Sequence, residues 1–246
     1  MILKAGTKML LGLSLILSTQ ISSAQMYTEG KIVFERKVNL KKMFKDNDRV
    51  KNFLPEDMDY RIEEFTLHFN DSLSAYVPVP SEDEAGGFMK YLTTHNTIYM
   101  NRNTGEKVAV LDMWGTKTFI EDSLREREWK ITNKTRNIAG FECRRALWEQ
   151  NDSTRVYAWF STELVPTVGP EGFYDLPGGI LGLATEDGSM IYFAKSVEQM
   201  EVPMEKLTID VSKEDTYTEE ELKKRILEKM GQWVKKRDMD GMFDWL

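Results

Sequence analysis

PTVGPEGFYDLPGGILGL, residues 166–183, is the stretch from which the fold of this chain is read. It holds three prolines (Pro166, Pro170, Pro177) and five glycines (Gly169, Gly172, Gly178, Gly179, Gly182). Proline fixes φ and removes a donor, while glycine permits φ > 0, so the run is neither an ordinary helix nor a central strand. Yet Phe173, Tyr174, Leu176, Ile180, Leu181 and Leu183 are too apolar for a solvated linker. The stretch reads as an ordered loop pressed against the body of the domain.

Strands flank it. Residues 154–161 (TRVYAWFS) place Val156, Ala158 and Phe160 on one face and Tyr157 and Trp159 on the other. A strand apolar on both faces belongs mid-sheet or beneath a cover, and the loop is the obvious cover. Residues 180–184 and 190–194 form a hairpin around Glu186-Asp187-Gly188, a strong tight-turn signal. Residues 197–209 give one more strand, interrupted by Pro203.

Towards the N-terminus, residues 129–148 (WKITNKTRNIAGFECRRALW) read as strand, turn and strand. Asn133-Lys134 supply the turn and Ile138 starts the return. Cys143 and Ala146 lie an odd number of residues apart, so turning both inward requires a bulge. Residues 117–121 form a short strand, and 98–100 and 108–113 a hairpin around Asn103-Thr104-Gly105. Residues 60–69 form a strand whose phase changes between Ile62 and Phe65, which predicts a bulge. Asn70-Asp71-Ser72 turn it into residues 73–77. The first strand is residues 29–38 (EGKIVFERKV), with Ile32, Phe34 and Val38 alternating against charge. Residues 39–54 are a short broken helix or a long exposed loop, ended by Pro55, and residues 78–87 are an acidic loop.

A different regime begins at Thr218. Thr218-x-x-Glu221 is a capping box, with acids in the first turn and Lys235, Lys236 and Arg237 at the far end. Leu222, Ile226, Met230 and Trp233 recur at helical spacing, which predicts a helix of about 20 residues. The tail GMFDWL is either docked or exposed.

The chain opens MILKAGTKMLLGLSLILSTQISSAQ. Lys4 and Lys8, the apolar run 9–17 and the small residues before Gln25 predict a cleaved secretory leader. The run is too short for a membrane helix, and no cysteine follows it for lipid attachment. Cleavage after Ala24 removes two lysines and no acid, leaving 222 residues with 31 basic against 40 acidic groups, a net −9. That balance argues against nucleic acid as a partner. A single cysteine, Cys143, excludes an internal disulfide.

Two stretches resemble the GLPGLI family of exported envelope proteins. FYDLPGGILGL (173–183) keeps Leu176-Pro177-Gly178 and Ile180-Leu181 of the signature. Asp175 stands at its first glycine and Gly179 is inserted where leucine is expected. Residues 129–148 are similar to the family's Trp-Lys-Ile opening and its Ile-x-Gly-aromatic-x-Cys-x-x-Ala return. The resemblance is strongest over residues 117–193. It implies an envelope address and brings no established activity.

The residues offer little catalytic machinery. Cys143 sits in a strand without a histidine partner and reads as a small core residue. There is no Gly-x-Ser-x-Gly elbow. His68 and His95 lack the spacing of a zinc site, and Glu82, Asp83 and Glu84 lack that of a calcium loop. No catalytic residue, metal or cofactor is assigned. A carboxylate pair that meets only in three dimensions stays open.

The expected fold is mainly antiparallel β: a strongly curved sheet or incomplete β-barrel with a C-terminal α-helix, similar in outline to the half-barrel of periplasmic lipoprotein carriers. Residues 1–24 are the leader, 25–212 the β domain, and 213–246 the amphipathic helix and apolar tail. The expected function is that of an exported periplasmic or secreted binding protein, holding an apolar ligand, a peptide or an envelope protein partner. Tyr157, Trp159, Phe173, Tyr174, Leu176 and Pro177 are the candidate groove. The alternatives are a carboxylate-based periplasmic hydrolase and a structural assembly module. The plain structural reading of the loop is a plug at one end of the β domain.

Overall fold

The computed structural model describes residues 26–45, 47, 51–52, 54, 58–80, 93–113, 115–151, 154–230 and 243. The expected leader, the acidic residues 82–84 and most of the apolar tail lie outside them. Strands β1 (Gly30–Asn39), β2 (Tyr60–Phe69), β3 (Leu73–Pro78), β4 (Thr97–Asn101), β5 (Glu106–Met113) and β6 (Thr116–Ser123) form one meander. A second comprises β7 (Lys130–Ile138), β8 (Phe141–Asn151), β9 (Thr154–Ser161), β10 (Gly179–Thr185) and β11 (Met190–Gln199). The short β12 (Thr216–Tyr217) precedes the C-terminal helix. The helices that position the core are α1 (Leu40–Met43) and α2 (Glu219–Met230).

The two meanders join where β1 pairs with β11, giving one 12-stranded sheet in the order β12-β6-β5-β4-β3-β2-β1-β11-β10-β9-β8-β7. All pairings are antiparallel except that of β12 with β6. Local turn chemistry makes the meander. The Asn70 side chain accepts the Ser72 and Leu73 amides, and Ala139 and Gly140 both take positive φ (52° and 90°) in the two-residue turn between β7 and β8.

The sheet is strongly curved and does not close. Gly172 lies against β4, where a Cβ would stand 3.4 Å from Ile98 Cγ2. The neighbouring Phe173 packs on Trp148 of β8, with ring centroids 6.0 Å apart. Seven inter-strand steps separate β4 from β8, roughly 34 Å in a flat sheet. Adjacent residues touch both, so the sheet wraps around them. Residues 124–129 run from the β6 edge to the β7 edge, and six residues span at most about 20 Å.

Most of the buried apolar residues belong to one cluster that includes Phe34, Phe65, Phe160, Phe173, Leu176 and Leu222. The capping box forms, with the Thr218 amide donating to Glu221 and the Glu221 amide to Thr218 Oγ1. Leu222 and Ile226 are buried in the main core, so this face of α2 docks on its own body, and Phe243 is buried with it. Residues 231–242 lie outside the description.

Four local expectations need correction. The phase change in β2 is not a bulge: register with β1 is unbroken from Gly30↔Phe69 to Asn39↔Tyr60. Ile62 is exposed, and Glu63 takes the inward phase instead. The turn near Asn133 is absent; β7 continues through a register break between Ile131 and Thr135, and the reversal comes at Ala139-Gly140. Cys143 and Ala146 are both buried without a bulge between them, since Arg144, Arg145 and Ala146 pair consecutively with β9. Odd spacing in an unbroken strand puts the two on opposite faces. Finally, β11 ends at Gln199, and Met204–Lys206 is a 3-10 turn after Pro203.

Candidate functional site

The loop between β9 and β10 is built from the chemistry that singled it out. Tyr27 pairs with it at Leu164, the Gly179 amide donates to the Leu164 carbonyl and the Ile180 amide to Val168. A 3-10 turn at Pro170–Gly172 then carries the chain into the sheet's concavity. Gly178 is required by space: at φ 140°, a Cβ would lie 2.1 Å from the Ser161 carbonyl oxygen.

At the tip, Glu171 is 3% exposed and takes φ 51°, ψ 33°, a left-handed conformation rare for a residue with a Cβ. Its carboxylate accepts from Arg36 Nη1 at 3.1 Å and from the Tyr192 hydroxyl at 3.0 Å. Arg36 is 1% exposed and belongs to the inward row of β1. It pairs directly across the strands with Glu63 on one side and Tyr192 on the other. Its Nε and Nη2 donate to Glu63 Oε2 at 3.0 and 2.6 Å, and Nη2 also reaches the Thr94 carbonyl. Thr93 and His95 meet Glu63 Oε1 at 2.6 and 2.7 Å. The guanidinium lies 4.5 Å over the Phe65 ring, on which Tyr76 stacks.

The two carboxylates are shifted by burial and by their neighbours. Burial pushes the Glu171 carboxyl up, with the Arg36 charge opposing it. Burial also raises Glu63, but the hydrogen bond from His95 and the Arg36 charge outweigh it and bring the pKa down to about 2. The Tyr76 hydroxyl is buried in the cluster and has no hydrogen-bond partner. Two carboxylates therefore grip one guanidinium, fixing a loop from one meander onto the first strand of the other.

A second cluster holds the other side of the loop. Phe173 packs among Trp129, Trp148 and Arg127, whose guanidinium lies 4.1 Å from its ring centroid. Trp129 Nε1 donates to the Tyr174 carbonyl. Nearby, Glu219 at the start of α2 joins Lys107 and Arg125, each at 2.6 Å.

The structure divides the sequence-derived groove. Phe173, Tyr174 and Leu176 are buried, and Pro177 is exposed. Phe173 meets Trp148, the cross-strand partner of Val156, so it lies on the Val156 face of β9. Tyr157 and Trp159 point to the opposite face. There the Tyr157 hydroxyl donates to Glu186, and Arg136 lies 5.1 Å from the Trp159 ring. The six residues do not form one groove. Asp175, at the signature's first glycine, takes φ 70°, a conformation that glycine adopts freely and Asp tolerates. Burial pushes the Cys143 thiol up to about 12, in keeping with a core residue. Among the described residues, no group of three or more His, Cys, Asp or Glu is placed to hold a metal.

Arg36, Glu63 and Lys107 were missed in the sequence, although a signal was present. Arg36 shares the phase of Ile32, Phe34 and Val38, and Lys107 that of Ala109 and Leu111. A charge in an apolar phase is a buried charge seeking a partner.

The fold and cluster define an incomplete, strongly curved antiparallel β-sheet with an internally clamped loop. Solved structures of PNGF-II share the outline: one in the C2 space group has a TM-score of 0.50 at 15% identity, over 77% of this chain and 30% of its own. Another, in P21, has 0.49 at 14%, over 78% and 31%. The chain thus spans under a third of the PNGF-II structures it matches. An uncharacterized conserved protein from Thermus thermophilus has a TM-score of 0.40 at 5% identity, over 77% of this chain and 90% of its own. No family model and no curated protein matches the sequence. At 15% identity the likeness with a TM-score of 0.50 is one of fold alone. No described helix is long and apolar enough to cross a membrane.

Proposed function

We propose that this is an exported binding protein of the cell envelope, in which the loop 162–178 is a lid over an apolar ligand site in the sheet's concavity. One observation carries the reading: the lid is apolar at Phe173 and Leu176, yet is fastened by a buried, conformationally strained ion pair, Glu171 with Arg36. Such a pair contributes little net stability compared with an apolar replacement. It is, however, an all-or-none fastening, since separating it leaves uncompensated charge unless water enters. The unpartnered Tyr76 hydroxyl supports the same reading, because a buried orphan costs about 1–3 kcal/mol and marks a packing not optimised for closure alone.

The carboxylate-hydrolase alternative draws on Glu63 and Glu171, whose pKa values are pushed apart. Both are engaged by one guanidinium and are at most 9% exposed in their side chains, which is the geometry of a clamp.

The test is titration of the protein with a naphthylamine dye that fluoresces in apolar surroundings, using wild type and Glu171→Gln. In the variant Arg36 keeps Glu63 and the Thr94 carbonyl, so the lid alone loses its fastening. Saturable binding by wild type, tightened several-fold in Glu171→Gln, is expected. Two folded proteins without saturable binding would make the loop a plug and end the reading. Export is checked separately: the envelope-extracted protein should begin at Gln25, and an intact N-terminus would contradict cleavage.

A further inference from the structure

Arg127 is 6% exposed, yet its Nε and Nη2 atoms have no hydrogen-bond partner. Its remaining nitrogen, Nη1, makes only long contacts, 3.4 Å to the Arg125 carbonyl and 3.5 Å to that of Gly172. The vacant pair is not arbitrary. Nε and Nη2 form the side-on edge of a guanidinium, whose two parallel N–H groups match a carboxylate. Arg36 presents that same edge to Glu63 in this molecule. One face of the Arg127 guanidinium lies on Phe173, and Trp148 is 5.4 Å away.

The neighbouring charges are already engaged. Lys107 and Arg125 both bond Glu219. Asp175 accepts from the Arg127 main-chain amide and the Tyr174 hydroxyl, and the guanidinium edge stays buried without a hydrogen-bond partner. Burial and the Arg125 charge push Arg127 down to about 10, which still leaves it cationic at neutral pH. What remains is a buried positive charge beside an aromatic wall of Phe173, Trp148 and Trp129, with Asp175 and Glu219 acting on it through their charge and not through a hydrogen bond to this edge.

We propose that the Nε–Nη2 edge of Arg127 is the head-group site for a monocarboxylate with an apolar chain, a fatty acid in chemical class. The chain would occupy the space that Phe173 and Leu176 fill when the lid is closed. This rests on the lid reading for the tail alone; the carboxylate site stands on Arg127. A single negative charge completes the guanidinium, whereas an uncharged head leaves it unpaired.

The experiment compares decanoate, decanol and propionate by calorimetry, with the Arg127 ¹⁵Nε resonance followed by NMR, in wild type and Arg127→Lys. Lysine keeps the charge and loses the fork. Decanoate is expected to bind wild type at least about tenfold more tightly than decanol, and to shift the Arg127 resonance. In Arg127→Lys the two should bind within about twofold of each other, through loss of decanoate affinity. Equal binding of decanoate and decanol by wild type would overturn the head-group assignment and leave the lid reading standing. A resonance that responds to propionate while neither ten-carbon probe binds would support the carboxylate site and defeat the lid. If Arg127→Lys does not fold, the wild-type ratio and resonance decide. No response to any probe overturns both.

Discussion

At position 36 the strand GKIVFERKVN puts a guanidinium where its period of two leads to another apolar side chain. Glu63, on the next strand, answers it, and the price is sensitivity to acid. Its folded pKa of about 2 lies below the ordinary 4.5. A depressed carboxylate contributes stability above its unfolded pKa, and that contribution is lost as pH falls from about 4.5 towards 2. The difference corresponds to about 3 kcal/mol. Glu171 is raised, so its contribution has the opposite sign: present below the unfolded pKa and lost as pH climbs through the folded one. The two are separated by urea unfolding at about pH 5 and about pH 2.5 in wild type and Glu63→Gln. Wild type should lose about 2 kcal/mol more than the variant, since at pH 2.5 part of the contribution remains; identical losses would show that Glu63 does not govern the acid limb. Arg36 and Glu63 were legible, since both occupy inward phases, but a period followed through its apolar members alone passes over them. Glu171 was not legible. Its partner lies 135 residues away, and only the folded path of the loop brings them together.

At the scale of elements, the strands were legible wherever one face alternates cleanly, as in β1 and β4. The failures are of one kind, a local side-chain pattern read as a backbone feature. In β2 an inward Glu63, in β8 burial on both faces, and in β7 the exposed polar pair Asn133-Lys134 each imitate a break in the chain's geometry. The sheet's two edges are managed differently. β12 and α2 cover β6, while β7 carries Lys130, Lys134 and Arg136 and a register break, devices that discourage pairing with another chain. The anchor of α2 is Glu219, which meets Lys107, 3% exposed in its side chain, and Arg125, a third exposed. Removing one partner from a buried pair costs about 3 kcal/mol, less where a member is exposed. Glu219→Gln should lower the unfolding free energy by about 2–3 kcal/mol in urea. A change under about 0.5 kcal/mol, the range of ordinary surface substitutions, would show that the helix is held by Leu222 and Ile226 alone.

Across the whole molecule, curvature decides where the loop sits. Two meanders joined at β1 and β11 wrap a loop so closely that residues 171–173 touch strands from both. The antiparallel class and the ordered loop were readable from proline, glycine and aromatic content. The depth of the concavity was not, because it follows from accumulated twist and from the short crossing at residues 124–129. The central claim is that this loop opens as a unit while the sheet stays folded. Hydrogen exchange reads that opening at the amides of Phe173, Gly178, Gly179 and Ile180, which donate to the carbonyls of Pro170, Leu176, Leu164 and Val168. The account predicts that these amides exchange well ahead of those in β1 and β11, and at least about tenfold faster in Glu171→Gln, where a buried partner is lost. Exchange of the loop only at the rate of β1, in both proteins, would contradict it.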